Sequence, residues 1–476
     1  MLEFIFLSLD FLHKELLLFA SLCFLIGSID DTAFDSLWLV HAVKRRFFVY
    51  RKYRRATVET LPKVEPDAEN RPLAVFVPAW QVASVIASMI NRCREQWKNS
   101  NYRMYLGCYP NDNETIAAVC SAARGTDNVR LVICPRNGPT SKADCLNRLW
   151  QSLCEDEILE SMNFKAVILQ DAEDLVHPGA LDLFDHLIDR ASLVQLPVIP
   201  RRTVRARWVA GHYGDEFAEL HGKQMVLREA LGVSIPSAGV GCAFSKEALA
   251  DLARHTDSRP FDAASLTEDY ELGLRLTEGN ARGIFARIKD RDGQLVATQE
   301  FFPDNLEDAI RQKSRWMAGI ALSGWDRMGW NSCWRENWMR LRDRKASIAA
   351  IVLALAYCAL VLTLSLFCLK FLGLYQPRPL PDFLKFMLLI NGGFLAWRLA
   401  LKGYFVFILY GWTEAAYSIP RTFVANIINI LAARRALFDY AKSLSGSPMS
   451  WKKTRHFHPL DGEILHLKSS SFAQDD

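Results

Sequence analysis

The sequence predicts an α/β protein in which a mainly parallel, doubly wound sheet forms a domain inserted between transmembrane helices. Three observations carry that expectation. From Leu73 to Leu169 short apolar runs alternate with stretches of helical spacing, the signature of βαβ units. Ser347 to Leu369 is 23 residues without a charge, long enough at helical rise to cross a hydrocarbon layer of ~30 Å. A second apolar run of 14 residues, Leu16 to Ile29, lies near the N-terminus.

That first run has the length of a signal-peptide core, but its flanks are those of an anchor. Glu3 and Asp10 precede it, and Lys44, Arg45, Arg46, Arg51, Lys52, Arg54 and Arg55 follow. By the positive-inside rule the basic block is cytoplasmic. Between Asp30 and Arg55, Phe34, Leu37, Trp38 and Val40 alternate with acids and then bases, which predicts a separate helix lying on the membrane surface. Residues 1–43 are therefore read as anchor and interface helix. Residues 44–71 are read as a basic segment and a linker, with three prolines between Leu61 and Pro72.

The soluble domain spans residues 72–303. Its first strands are Leu73 to Val77, Tyr102 to Tyr109, Val129 to Cys134 and Ala166 to Leu169, with helices between them at Val82 to Cys93 and Asn113 to Ala123. No GxGxxG or GxxxxGK[ST] follows any of these strands, which argues against a dinucleotide oxidoreductase and a P-loop enzyme. Polar groups stand at successive strand ends instead. Pro78 and Gln81 follow the first, Asn111 and Asp112 the second, RNGPTSKADCLN (Arg136 to Asn147, with Lys142) the third, and DAED (Asp171, Glu173, Asp174) the fourth. Each alone reads as ordinary turn chemistry. Together they converge on one crevice, because ligands bind outside the carboxyl ends of the strands in open α/β sheets.

GHYGDEFAE (Gly211 to Glu219) is dense in ionisable groups but lacks the spacing of a zinc helix. PSAGVGCAFS (Pro236 to Ser245) joins small residues that let backbone approach a ligand closely. Ser265 or Thr267 caps a helix whose first turn holds Glu268 and Asp269. A second helix holds Gln312, Arg315 and Trp316. Residues 304–345 then interleave Trp325, Trp330, Trp334 and Trp338 with arginines, a composition that suits a headgroup interface. Residues 346–440 are read as further membrane and interface helices, three crossings in all. Residues 441–476 are read as a polar cytoplasmic tail, ordered mainly at Trp451 to Pro459.

Bulk composition narrows the partners. A formal net charge of +4 over 476 residues is too small to suggest nucleic acid, and the basic residues sit beside apolar segments, where they suit an anionic membrane face. Eleven cysteines occur without a CxxC pair, which fits a reduced compartment and suggests neither a disulfide framework nor a zinc site.

The order DAED, TED, QKSRW followed by membrane segments resembles the processive family 2 glycosyltransferases, membrane enzymes with a GT-A catalytic domain. YPND, GPTSKADCLN, DEFAELHGK, PSAGVG and WKKTRHFHP resemble the bacterial phage-adsorption (NfrB) branch of that family. The resemblance runs from about Pro72 to Pro459. It implies an inner-membrane, multi-pass glycosyltransferase with a cytoplasmic catalytic domain, inverting, dependent on Mg2+ or Mn2+, and using a UDP-sugar donor to extend an exported glycan. Its implied partners are a glycan or lipid-linked acceptor, membrane lipids and a periplasmic or outer-membrane export protein.

Carried over by position, Asp171 with Glu173 or Asp174 would hold the metal. Asp269 would be the base, with Glu268 beside it. Asp112, Lys142, Asn147 and Pro78 would bind the nucleotide sugar. Gln312, Arg315, Trp316, Gly239 and Gly241 would frame the acceptor and diphosphate. Two features depart from the pattern: Glu173 replaces the usual second Asp, and Gln81-Val82 the usual Asn-Glu after the first strand. A C-terminal cyclic-dinucleotide-binding domain, common in that branch, exceeds this chain's length. Two other roles fit the same resemblance, a polyprenyl-phosphate sugar transferase and a non-catalytic scaffold or phage-receptor component.

Overall fold

The computed structural model describes residues 2–62, 71–203, 206–278, 281–446 and 464–465. Most of the expected linker and the tail motif Trp451 to Pro459 lie outside the described residues.

The strands are β1 (Leu73–Pro78), β2 (Tyr102–Cys108), β3 (Val129–Ile133), β4 (Ala166–Leu169), β5 (Leu193–Gln195), β6 (Val198–Thr203), β7 (Cys242–Ser245), β8 (Gly283–Phe285), β9 (Thr298–Phe301) and β10 (Ile464–Leu465). Seven of them form one sheet in the order β3-β2-β1-β4-β7-β5-β8, and β10-β6-β9 form a second. Strands β1 to β4 pair in parallel, whereas β7 runs antiparallel between β4 and β5. The central strands are flanked on both sides and buried on both faces, which is why β1 and β4 read as unbroken apolar runs. The first four strands and the helices Ala83–Gln96 and Asn113–Ala122 stand where the alternation placed them, within a few residues.

Strand direction decides what meets at the sheet edge. Because β7 is antiparallel, with Leu169 opposite Cys242, the loop entering β7 (PSAGVG) lies at the same edge as the DAED loop leaving β4. A bridge between Leu175 and Gln299 brings β9 to that edge as well.

Among the described residues three helices are long and apolar enough to cross a membrane: one within Phe4–Val49, then Ala346–Phe371 and Asp382–Tyr410. The first corrects an expectation. Leu2–Lys44 is one uninterrupted helix, so residues 30–44 are not a separate surface helix. The acids that suggested an exposed face are paired inward: Lys345 reaches Asp30 and Asp31 at 2.9 Å each, and Lys223 reaches Asp35 at 2.5 Å.

Of the tryptophans before the second apolar helix, Trp338 is likewise a junction residue, whereas Trp334 is exposed. Trp338 Nε1 donates to Asp30 at 2.7 Å. Trp325 and Trp330 meet edge to face at 5.2 Å, with the Arg344 guanidinium over both rings. Beyond the third span, Gly411, at φ +82, starts a final helix, Trp412–Leu444. Ala432, Ala433 and Ala436 pack it against Met317, Ala318 and Ala350.

The charged stretch GHYGDEFAE forms the helix Val209–Glu219, which packs against the helices Asp382–Tyr410 and Trp412–Leu444. Asp215 and Glu414 share Arg202 and Arg421 at 2.6–3.0 Å, and all four side chains are nearly fully buried. Gly214 and Gly211 let the guanidiniums in, since a Cβ would stand 2.3 Å from Arg202 and 2.9 Å from Arg421.

Candidate active site

Twenty-two residues line a cavity of about 170 Å³ at the carboxyl ends of β1 and β4. Its floor is the DAED loop. Asp174 is buried and turned away from the cavity, and its Oδ2 accepts Gln170 Nε2 at 2.7 Å and the backbone N–H of Asp171 at 2.8 Å. Asp171 and Glu173 line the cavity. The loop thus separates the two acids that the sequence left open. Glu173 faces the cavity, whereas Asp174 fixes the turn that presents Asp171.

Lys142 is the first residue of the helix Lys142–Glu160, capped by Ser141, whose side chain accepts the Asp144 N–H at 3.2 Å. Its Nζ donates to Asp171 Oδ1 at 2.7 Å and to the Gly239 carbonyl at 3.3 Å. Burial opposes the charge, but Asp171, Glu268 and Asp269 outweigh it and hold the ammonium above its ordinary range.

Glu268 and Asp269 open the helix Glu268–Thr277. Burial, then the neighbouring Asp269, raise Glu268 to about 7, against the pull of Lys142 and Arg315. Gly239 and Gly241 are required here in two ways. Both have positive φ, +76 and +57, and a Cβ would stand 2.2 Å from Asp269 Oδ2 and 2.3 Å from Thr298 Oγ1 respectively.

The helix Leu306–Met317 closes another side. Arg315 Nη1 donates to the Leu266 carbonyl at 3.2 Å, tying this helix to the TED loop. Gln312 lines the cavity and is buried, with its Oε1 unpartnered. Trp316 joins Phe217 and Phe302 in an aromatic wall, with ring centroids 5.0–6.4 Å apart. At the opposite end Trp80 meets Tyr109 edge to face at 5.3 Å, and Tyr109 shares a 2.9 Å hydrogen bond with Thr140. Pro78 lies beside them.

Two expected contacts stand behind the wall. Asp112 caps the helix Asn113–Ala122 and accepts the Gln81 N–H at 2.6 Å. Asn147 is pinned to the Phe261 backbone at 2.7 and 3.1 Å. Neither side chain lines the cavity; Asp112 holds the turn before Val82, which does, and Asn147 ties the helix that begins at Lys142 to Phe261. Sequence reasoning missed Glu300, Trp80, Tyr109 and Phe302. Glu300 ends the buried run ATQE, a position legible only once β9 is seen to reach the same edge. Burial, then Asp171 and Glu173, push its carboxyl well above the usual range.

Charge balance states what the cavity accommodates. Five acidic side chains (Asp171, Glu173, Glu268, Asp269, Glu300) line it beside two cations, Lys142 and Arg315, and the acids so crowded raise Glu268 and Glu300 toward their neutral forms. Among the described residues no three His, Cys, Asp or Glu side chains converge tightly enough to enclose an ion unaided. A hard divalent cation does not need that, since Mg2+-like ions bind through one or two carboxylates and complete their shell with phosphate and water. Asp171 and Glu173 suit that role.

The sequence profile of the Glycosyltransferase like family 2 matches residues 70–319. Over 468 residues the chain is 36% identical to Bacteriophage adsorption protein B of Escherichia coli K12, covering 93% of this chain and 62% of the relative. Bacteriophage N4 adsorption protein B of E. coli O157:H7 matches to the same extent. The chain therefore spans about 62% of the length of the curated relatives it matches. The mannosyltransferase PcManGT from Pyrobaculum calidifontis, solved in complex with GDP-Man and Mn2+, aligns with a TM-score of 0.51 at 15% identity. That alignment covers 89% of this chain and 99% of that one, a likeness of fold.

Proposed function

The chain belongs to the family 2 glycosyltransferases and has their GT-A fold, and on that premise we propose that it is an inner-membrane, metal-dependent, inverting glycosyltransferase. It takes a UDP-activated sugar on the cytoplasmic face and extends an exported glycan. The observation that carries this reading is the pairing, in one cavity, of a metal-suited acid pair, Asp171 and Glu173, with a second carboxylate pair, Glu268 and Asp269.

The base stacks in the aromatic corner of Trp80 and Tyr109, and the diphosphate lies along Lys142 and the start of its helix, whose N-terminal dipole favours anions. Asp171 and Glu173 would hold a divalent ion, which when bound neutralises charge on the departing nucleoside diphosphate. The acceptor sugar stacks on Trp316 and Phe302. Asp269 accepts the proton of its attacking hydroxyl as the new bond forms opposite the leaving group, inverting the anomeric carbon. Arg315 and Lys142 stabilise the negative charge that develops. Asp112, Asn147 and Asp174 position the loops that carry these groups.

A scaffold with a decayed site would have no reason to keep five carboxylates around one cavity at their desolvation cost. Incubating the detergent-purified protein with a panel of nucleotide sugars and Mn2+, and reading released nucleoside diphosphate and product size, tests the proposal. Turnover of one UDP-sugar, abolished by chelator, is the expected result. Absence of turnover together with absence of nucleotide binding refutes it. Products of one added sugar on a polyprenyl phosphate would assign the lipid-linked role instead.

A further inference from the structure

A second cluster of charge lies outside the cavity lining, where the first long helix ends. The stretch KRRFFVYRKYRR (residues 44–55) contains no acid. It turns back so that the Arg45 and Arg55 guanidiniums lie over the Tyr50 ring, at 5.1 and 4.4 Å from its centroid. Two cations from the soluble domain complete the cluster: Arg287 feels the charges of Arg45 and Arg55, and Lys289 those of Arg55 and Arg287. A backbone bridge between Thr57 and Lys289 fixes the two segments together.

Among the described residues none of these four cations is ion-paired, and two of the three nearby acids are engaged elsewhere. Glu59 accepts the Arg291 N–H at 3.1 Å and Asp290 pairs with His177 at 3.2 Å, while Glu229 is shared between Arg282 and Arg45. Cations that outnumber the acids among them repel one another, and burial together with Arg55 and Arg287 holds the Lys289 ammonium below its ordinary range. A bound anion relieves that repulsion.

The apolar surface indicates which anion. Leu22, Ile26, Ile29, Leu37, Val40 and Phe47 are 41–64% exposed and recur on one face of the helix. That face continues for about 38 Å at helical rise, and Phe48 extends it at 73% exposure. The opposite face carries Asp31, Asp35 and Trp38, which meet protein. The lipid-facing stripe therefore runs on to the basic turn and sets its cations at headgroup depth.

We propose that Arg45, Arg55, Arg287 and Lys289 form a binding site for the phosphodiester headgroup of an anionic phospholipid, anchoring the β8 edge of the soluble domain to the bilayer. Each cation near an anionic surface strengthens binding about fivefold. The test uses the full chain, delipidated in detergent and titrated with dioleoylphosphatidylglycerol, dioleoylphosphatidylcholine or inorganic phosphate, with bound lipid read by native mass spectrometry. Wild-type protein is expected to retain phosphatidylglycerol over phosphatidylcholine. Arg287→Gln/Lys289→Gln lowers that affinity about 25-fold, and the charge-keeping Arg287→Lys/Lys289→Arg retains it. Three results would overturn the site: equal retention of the two lipids, undiminished retention in the glutamine variant, or displacement of phosphatidylglycerol by millimolar phosphate.

Discussion

Gly239→Ala tests how the cavity is built. Gly239 has φ +76, and a Cβ there would stand 2.2 Å from Asp269 Oδ2 and 3.0 Å from its Cγ. The left-handed backbone costs an L-residue about 1–2 kcal/mol. The Asp269 carboxylate must also retreat by about 1 Å to reach ordinary contact, giving up the 2.8 Å bond its Oδ1 accepts from the Tyr270 N–H. A 1 Å misplacement of a reacting group costs about 100-fold in rate. For a domain of this size the backbone term lowers the melting temperature by roughly 2–8 °C. Gly125→Ala is the matched control, with φ +70 and no atom within 4 Å of a Cβ. It should show the same loss of melting temperature with unchanged kcat. Initial rates of nucleoside diphosphate release and thermal melts on both variants decide the matter. A folded Gly239→Ala protein with kcat within threefold of wild type would refute the placement of Asp269.

Glu173→Gln should raise the Mn2+ concentration for half-maximal activity at least tenfold, whereas Asp174→Asn, which keeps an acceptor for Gln170 and Asp171, should leave it within about threefold; the reverse order would return the metal to Asp174. Glu268, raised from about 4.5 to about 7, contributes stability that is full below the unfolded pKa and lost as pH rises through 7. The melting temperature of wild type relative to Glu268→Gln should therefore fall between pH 5 and 8, by at most about 3 kcal/mol equivalent, and a rising difference would contradict the burial of Glu268. Arg421→Ala leaves the buried Asp215 and Glu414 with only one of their two shared cations, Arg202, and should cost about 3–5 kcal/mol in thermal unfolding, with no rescue by lysine. A loss under about 1 kcal/mol would show that the docking helix does not depend on the pair.

Strands β1, β2 and β4 and the acids at their ends were legible because these strands are central and buried on both faces, so the apolar run and the polar terminus both stand out in the sequence; β3, the half-buried edge strand, was legible from its β-branched run alone. Glu300 was hidden because β9 is short and reaches the cavity through a second sheet, so its position depends on pairing with β6 that no local pattern reveals. Asp112 and Asn147 have the residue types of ligand-binding groups, yet their side chains are taken up by the Gln81 and Phe261 backbones, a distinction that needs coordinates. GHYGDEFAE looked like a site because it is crowded with charge. Its partners Arg202 and Arg421 lie 13 and 206 residues away from Asp215, and sequence spacing carries no trace of the second. The break expected near Asp30 failed for the same reason, since the acids that suggested a solvated face are neutralised by Arg342 and Lys345 more than 300 residues on.

The most direct test of the central claim is transfer by Asp269→Asn in purified protein, measured beside donor affinity with the nucleotide sugar that wild type turns over. Removing a general base that acts as assigned lowers transfer about 10²–10⁴-fold and leaves donor affinity within about threefold. Transfer at near the wild-type rate would remove Asp269 from the chemistry and with it the reading of the cavity as this transferase site.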